Sequence, residues 1–172
     1  MEKIKAHILG EIISSNTSEA YSLQKKSSFG EPVGDKIQYT LSEALFLIEK
    51  EKMNIFSRNK KILKKDLMDK FRRIDKKIQI KYLVFKDLRE KGYIVKTALK
   101  FGAEFRVYEK GSTPGKKHAK WIVFTEHESK KLTWHEFSAK NRIAHSTKKN
   151  LLLAIVDEEG DISYYEVKWI KP

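Results

Sequence analysis

The sequence predicts an α/β (α+β) chain of two small mixed domains, 1–77 and 78–172, the second a mixed β-sheet flanked by helices. Three observations predict it. A length of 172 residues, with 40% hydrophobic and 34% charged side chains, suits one sizeable core or two small ones. Two T-x-x-E capping boxes, Thr40 to Glu43 and Thr133 to Glu136, mark a helix start in each half. After Gly92 the apolar pattern changes from helical spacing to strand-like runs.

In chain order, Ala6–Ile13 and Ala20–Gln24 read as strands, and a Gly-, Pro- and Ser-rich loop follows over 27–34. The capping box at Thr40 opens a helix from Leu41 to about Lys50, carried by the run Ala44-Leu45-Phe46-Leu47-Ile48. Ile62, Leu63, Leu67 and Phe71 fall at helical spacing and predict a second helix over Lys60–Ile74. Asp75 caps a third, which runs to Lys91 and stops at Gly92, with Ile78, Tyr82, Phe85 and Leu88 as its buried stripe. Tyr93–Thr97, Ala103–Tyr108 and Ala119–Thr125 read as strands, with a loop over 109–117 between the last two. Thr133 opens a helix to about Ser146. Leu151–Val156 and Ile162–Trp169 then form a hairpin around the acidic turn Asp157-Glu158-Glu159-Gly160-Asp161.

Net charge is +13, and the excess is +6 up to Lys77 and +7 beyond it, so neither half is a basic tail. Charge of this size on a small chain points to a polyanionic partner, nucleic acid before others. Arg58 to Lys77 alone holds ten basic side chains against three acidic ones, either a solvated face or a phosphate-contacting surface. Cysteine is absent, which removes disulfides, thiol nucleophiles and thiolate metal sites. The longest apolar run, Leu151 to Val156, is far too short for a membrane span, and the N-terminus has no secretory core. A cytoplasmic chain is the expectation.

Several familiar sites fail. Gly111-Ser112-Thr113-Pro114-Gly115-Lys116-Lys117 lacks one residue between its glycines, and no Ser or Thr follows the lysine of a phosphate loop. The histidines, His7, His118, His127, His135 and His145, never take helical zinc spacing. What remains suits phosphodiester cleavage through the RNA's own 2′-hydroxyl. That reaction needs a base for the 2′ proton, an acid for the leaving 5′ oxygen and a cation for the charge growing on phosphorus.

Tyr93-Ile94-Val95-Lys96-Thr97 leads through Lys100 to Tyr108 into a Gly-containing loop and His118-Ala119. Arg142-Ile143-Ala144-His145-Ser146, Lys149, Leu151–Val156 and Asp161-Ile162-Ser163-Tyr164-Tyr165 follow. In order and spacing these closely resemble the archaeal tRNA-intron (tRNA-splicing) endonuclease family. The likeness is strong from Lys81 to Pro172; before that, the helix at Leu41 looks like its counterpart.

The resemblance implies cleavage of precursor tRNA at bulge–helix–bulge splice sites. It implies 2′,3′-cyclic phosphate and 5′-hydroxyl ends, with no metal and no other cofactor. It implies Tyr108 as general base, His118 as general acid and Lys149 as the cation at the transition state. Lys148 competes for the last role: the motif match favours Lys149, while point-charge stabilisation accepts either. Arg142 and Trp169 match a pair that clamps a bulged base, and guanidinium and indole planes both stack on bases. An interface aromatic is the other reading of Trp169.

Asp157, Glu158, Glu159 and Asp161 match a turn that inserts into a basic pocket of another subunit, which with catalytic residues in the same chain fits a homotetramer. Two other functions stand beside this one. A non-catalytic RNA-binding subunit of such an assembly is one. The other is a metal-dependent nuclease, of which Glu104-Phe105-Arg106 carries only a shadow.

Overall fold

Residues 2–172 are described by a computed structural model, and they divide into two units, the first ending at Tyr82 and the second running from Leu83 to Pro172. In the first unit, alternating burial along Ile4, Ala6 and Ile8 marks a half-buried strand. This β1 (Ile4–Leu9) turns at Gly10 into β2 (Ile12–Ser15), so the predicted strand over Ala6–Ile13 is a hairpin. Next come α1 (Ser18–Ser27), β3 (Glu31–Val33), β4 (Lys36–Tyr39), α2 (Leu41–Glu49), β5 (Met53–Ser57), β6 (Lys60–Ile62) and α3 (Lys64–Arg72). The sheet order is β3-β4-β2-β1-β5-β6, with β1 and β5 parallel and the remaining neighbours antiparallel. Ile4, Ile13, Ile37, Met53 and Ile55 of the strands fill the core together with Leu45 and Leu47 of α2.

Two expectations are corrected here. Ala20–Gln24 lies in the helix α1, not in a strand. Glu19 sits in the first turn and Lys25 and Lys26 in the last, charges that favour both ends of the helix dipole. The predicted helix over Lys60–Ile74 begins instead with a strand. Arg58 and Asn59 both take positive φ, +45° and +65°, which suits the two central residues of a tight hairpin turn. Ser57 therefore pairs with Lys60 and Ile55 with Ile62, and α3 starts only at Lys64.

The helix α4 (Ile78–Glu90) carries the expected stripe, Ile78, Tyr82, Phe85 and Leu88, all buried. The division between the units falls inside it. In the second unit, β7 (Ile94–Thr97), a 3₁₀ turn (Leu99–Phe101), β8 (Phe105–Tyr108), β9 (Trp121–His127), α5 (Trp134–Ser146), β10 (Asn150–Val156) and β11 (Ile162–Val167) follow. Their order is β11-β10-β9-β8-β7, with β9 and β10 parallel and the other pairs antiparallel. This is the mixed sheet the sequence predicts, and β9–α5–β10 is its crossover.

Ile122 and Phe124 of β9, with Leu151 and Leu153 of β10, pack under Ala144 of α5. On the opposite pleat, Phe105 meets Phe85 of α4, their ring centroids 5.9 Å apart. Helices thus cover both faces. Tyr164 of β11 donates to the Asp87 carboxylate at 2.7 Å, and burial together with that carboxylate pushes its phenol well above the usual tyrosine range. Trp169 lies beyond β11, which ends at Val167 rather than at the predicted Trp169. Among the described residues no helix is long and apolar enough to cross a membrane.

Candidate active site

The site is assembled by three segments on the α5 side of the second sheet. β8 contributes the first. Successive side chains on a strand alternate, so Arg106 and Tyr108 share one face, and both line a cavity of about 310 Å³ at the end of β8. Tyr108 is 5% exposed. The loop after β8 contributes the second. Ser112 N–H donates to Glu109 carbonyl, and the Lys116 and Lys117 amides both donate to Thr113 carbonyl, with Gly111 and Gly115 at positive φ. This compact loop delivers His118, exposed, to the same cavity, and lines it with Lys116 and Lys117.

The stop of α5 contributes the third. Lys148 takes φ +55°, its amide donating to His145 carbonyl at 2.9 Å, while the Lys149 amide donates to Ala144 carbonyl at 2.9 Å. This is a Schellman stop with a lysine in the left-handed position where glycine is usual. It turns Lys149 into the cavity, and Lys148 does not line it. The Lys149 ammonium donates to Thr147 carbonyl at 2.8 Å and stands 5.8 Å over the Phe101 ring. Burial, then the charges of Arg106 and Lys100, hold it below the usual lysine range. An ammonium so placed gains by accepting an anion.

Tyr108, His118 and Lys149 thus share one cavity, whose lining is basic and carries no carboxylate. Arg106 and Phe101 are members the sequence reading missed; the two-residue spacing from Tyr108 was the available signal for Arg106. Glu104, the acidic part of the metal-nuclease shadow, accepts from Thr125 N–H at 3.3 Å and does not line the cavity. Among the described residues no three His, Cys, Asp or Glu side chains gather as metal ligands.

Arg142 and Trp169 line a second cavity of about 360 Å³ between α5 and the segment after β11. The Trp169 indole, 60% exposed, packs on His145 with ring centroids 4.6 Å apart. In the acidic turn, the Asp157 carboxylate accepts from the amides of Glu159 at 3.0 Å and Asp161 at 2.8 Å, so it folds the turn itself. Glu158, Glu159 and Asp161 are exposed, and Glu158 lies 3.9 Å from the His127 ring.

A hydroxyl, an imidazole and an ammonium set in a basic wall are the donor set of a nuclease that works by acid–base chemistry on a phosphodiester. The chain matches the family description "tRNA intron endonuclease, catalytic C-terminal domain" over residues 78–164 and "tRNA intron endonuclease, N-terminal domain" over residues 4–68. It is 40% identical to a tRNA-splicing endonuclease of Pyrococcus horikoshii, over 98% of this chain and 97% of that one. It is 39% identical to the tRNA-splicing endonuclease of Methanothermobacter thermautotrophicus, over 91% of each. A Nanoarchaeum equitans tRNA-splicing endonuclease is 40% identical over 81% of this chain and 93% of its own. The chain belongs to the tRNA intron endonuclease family and is an endonuclease. The likeness, strong in the sequence only from Lys81 onward, extends through the first unit as well.

Proposed function

We propose that the protein cuts intron-containing precursor tRNA in the cytoplasm at bulge–helix–bulge splice sites, without a metal ion. The convergence of Tyr108, His118 and Lys149 on one cavity carries this reading. Tyr108 takes the proton of the 2′-hydroxyl at the cut, and the 2′ oxygen attacks the adjacent phosphorus. The bond from phosphorus to the 5′ oxygen breaks as His118 protonates that oxygen. Lys149 holds the non-bridging oxygen on which charge grows. The products are a 2′,3′-cyclic phosphate and a 5′-hydroxyl.

Arg142 and Trp169 take a bulged base between them, guanidinium on one face and indole on the other. The exposed carboxylates of the turn, Glu158, Glu159 and Asp161, dock on a second copy. β11 is a sheet edge with Tyr165 57% exposed, which supports pairing between copies and a homotetramer. Two equivalent cavities then meet two similar bulges.

The experiment is cleavage of an end-labelled bulge–helix–bulge RNA in EDTA, wild type beside His118→Ala, with the new ends identified. Cyclic-phosphate ends from the wild type and a rate lowered roughly 10²- to 10⁴-fold in the variant are expected. Binding without cutting by the wild type would make the chain a non-catalytic subunit. Loss of cleavage in EDTA would reinstate a metal-dependent reaction.

A further inference from the structure

The sheet of the first unit is covered on one face only. Ile4, Ala6 and Ile8 of β1 are buried, and so are their cross-strand partners Met53, Ile55 and Ile13, which identifies the covered face. On the other face the register places one row of side chains across all six strands. Lys61 of β6 pairs with Phe56 of β5, and Phe56 with His7 of β1. The row continues from His7 to Ser14 of β2, then to Gln38 of β4 and Glu31 of β3. Each of these side chains is exposed or half-buried. The two rings in the row, His7 and Phe56, lie with centroids 6.0 Å apart. Lys5 stands on the same face two residues before His7, opposite Asn54. Two rings are thus flanked by two ammonium groups, and the row's single carboxylate lies at the far edge.

A cross-strand ring pair by itself stabilises a sheet, and a lysine on an edge strand such as β6 keeps other chains from pairing there. Neither task explains Lys5. It lies on β1, inside the sheet, and is exposed. Its ammonium, like that of Lys61, has no hydrogen-bond or ion-pair partner among the described residues. Rings that take the face of a base, beside cations that take phosphates, make up a surface for single-stranded RNA. We propose that this open sheet face binds an unpaired stretch of RNA, with bases on His7 and Phe56 and backbone phosphates on Lys5 and Lys61. Neighbouring strands stand about 4.8 Å apart, so the Lys61 ammonium reaches the phosphate of a base lying on the Phe56 ring. Asn54 and Gln38 offer amides to base edges. The net charge of +6 up to Lys77 favours a polyanion over a protein as the occupant. The surface lies wholly within the first unit and does not depend on the roles of Tyr108, His118 and Lys149.

The test measures affinity of the full chain for a short labelled single-stranded RNA of mixed sequence, and for a duplex of the same length. Phe56→Leu keeps apolar bulk on the pleat and removes the ring. It is expected to weaken single-strand binding roughly five- to tenfold, the lower end of base–aromatic stacking. Its salt dependence and its duplex binding should stay as in the wild type, because paired bases offer no free face. Lys5→Ala and Lys61→Ala should each weaken binding and flatten the dependence of log K on log salt by about 0.7, the effect of one phosphate contact on a single strand. The same RNA carrying 4-thiouridine is then crosslinked to the wild type, and peptides containing His7 or Phe56 are expected among the joined ones.

Single-strand affinity unchanged in all three variants overturns the proposal, as do crosslinks confined to residues 83–172. Equal weakening of single-strand and duplex binding by Phe56→Leu removes the stacking and the proposal with it. Altered self-association with unchanged RNA affinity assigns the face to a second copy of the chain, which also refutes it. Should Phe56→Leu fail to fold, the two lysine variants and the wild-type crosslink decide. Every outcome is read from binding, so this surface fails separately from the cleavage reading.

Discussion

Lys149 carries a pH signature. Its ammonium is held below the usual lysine range by burial first and by Arg106 and Lys100 second. A lowered pKa means that the cation is complete at low pH and is lost as pH rises, sooner than for a free lysine. In the role proposed for Lys149, transition-state stabilisation by that charge fades in the same direction. Single-turnover cleavage at saturating RNA should therefore fall on an alkaline limb. In Lys149→Arg, whose guanidinium stays charged, the limb should move to higher pH even though the rate is lower throughout. A limb at the same pH in both proteins would assign it to another group. At this scale, motif order singled out Tyr108, His118 and Lys149, and the three share one cavity. Arg106 could be read from strand alternation but looked like half of a metal motif. Phe101 could not be read, because a three-residue 3₁₀ turn has no periodicity. That Lys149 and not Lys148 lines this cavity follows from a positive φ at a non-glycine residue, which composition and spacing do not encode.

The two capping boxes look alike in sequence and differ in what they hold. Glu136 accepts from the amide and hydroxyl of Thr133, on the surface. Glu43 is 2% exposed; it accepts from the Thr40 amide at 3.0 Å, the Thr40 hydroxyl at 3.1 Å and the Gly30 amide at 2.9 Å. It thereby ties the start of α2 to the loop before β3. Gly30 is fixed there by φ +74° and by a close approach: an added Cβ would stand 2.3 Å from Ile37 Cγ2 and 2.9 Å from Gln38 carbonyl oxygen. Glu43→Ala leaves a buried amide without its acceptor and should cost roughly 2–4 kcal/mol. Gly30→Ala, which must push buried backbone, should cost at least as much, on the order of 2–4 kcal/mol. Glu136→Ala should cost clearly less than either. Urea unfolding of the three variants orders them, and equal losses would refute the tie. The helices with boxes or strong stripes, α2, α4 and α5, were legible for this reason: their signals are local. β4 and β5 were not. Each is short, and β5 is stabilised by pairing with β1, Met53 against Ile4, a contact far apart in sequence. The β5–β6 turn uses Arg58 and Asn59 instead of glycine, which hid the hairpin inside a run of basic residues.

Charge organises the molecule as a whole. An excess of +13 spread almost equally over the sequence on either side of Lys77 repels other copies of the chain while it attracts polyanions. A homotetramer of such a chain needs a device that offsets this repulsion. The acidic turn between β10 and β11 is suited to that. Asp157 spends its carboxylate on the turn's own amides, so the exposed Glu158 and Glu159 are presented on a scaffold that does not depend on them. Reversing both to lysine should leave each chain folded and each cavity intact, because the cavity of Tyr108, His118 and Lys149 is built within one chain. It should nevertheless break the assembly. Sedimentation of the wild type is expected near four times the 20.2 kDa chain mass, and the double variant near two, since the proposed pairing through β11 would be untouched. Raising salt should push the wild type toward the same smaller species, because a docking contact made by these carboxylates would be electrostatic and screened. A wild type that sediments as a single chain, or a double variant that remains a tetramer, would remove the acidic turn from the assembly. Cleavage of an RNA with one bulge, compared with two, completes the test. A dimer that still cuts single bulges but no longer favours paired ones shows that tetramer symmetry serves substrate recognition, with the chemistry held in each chain.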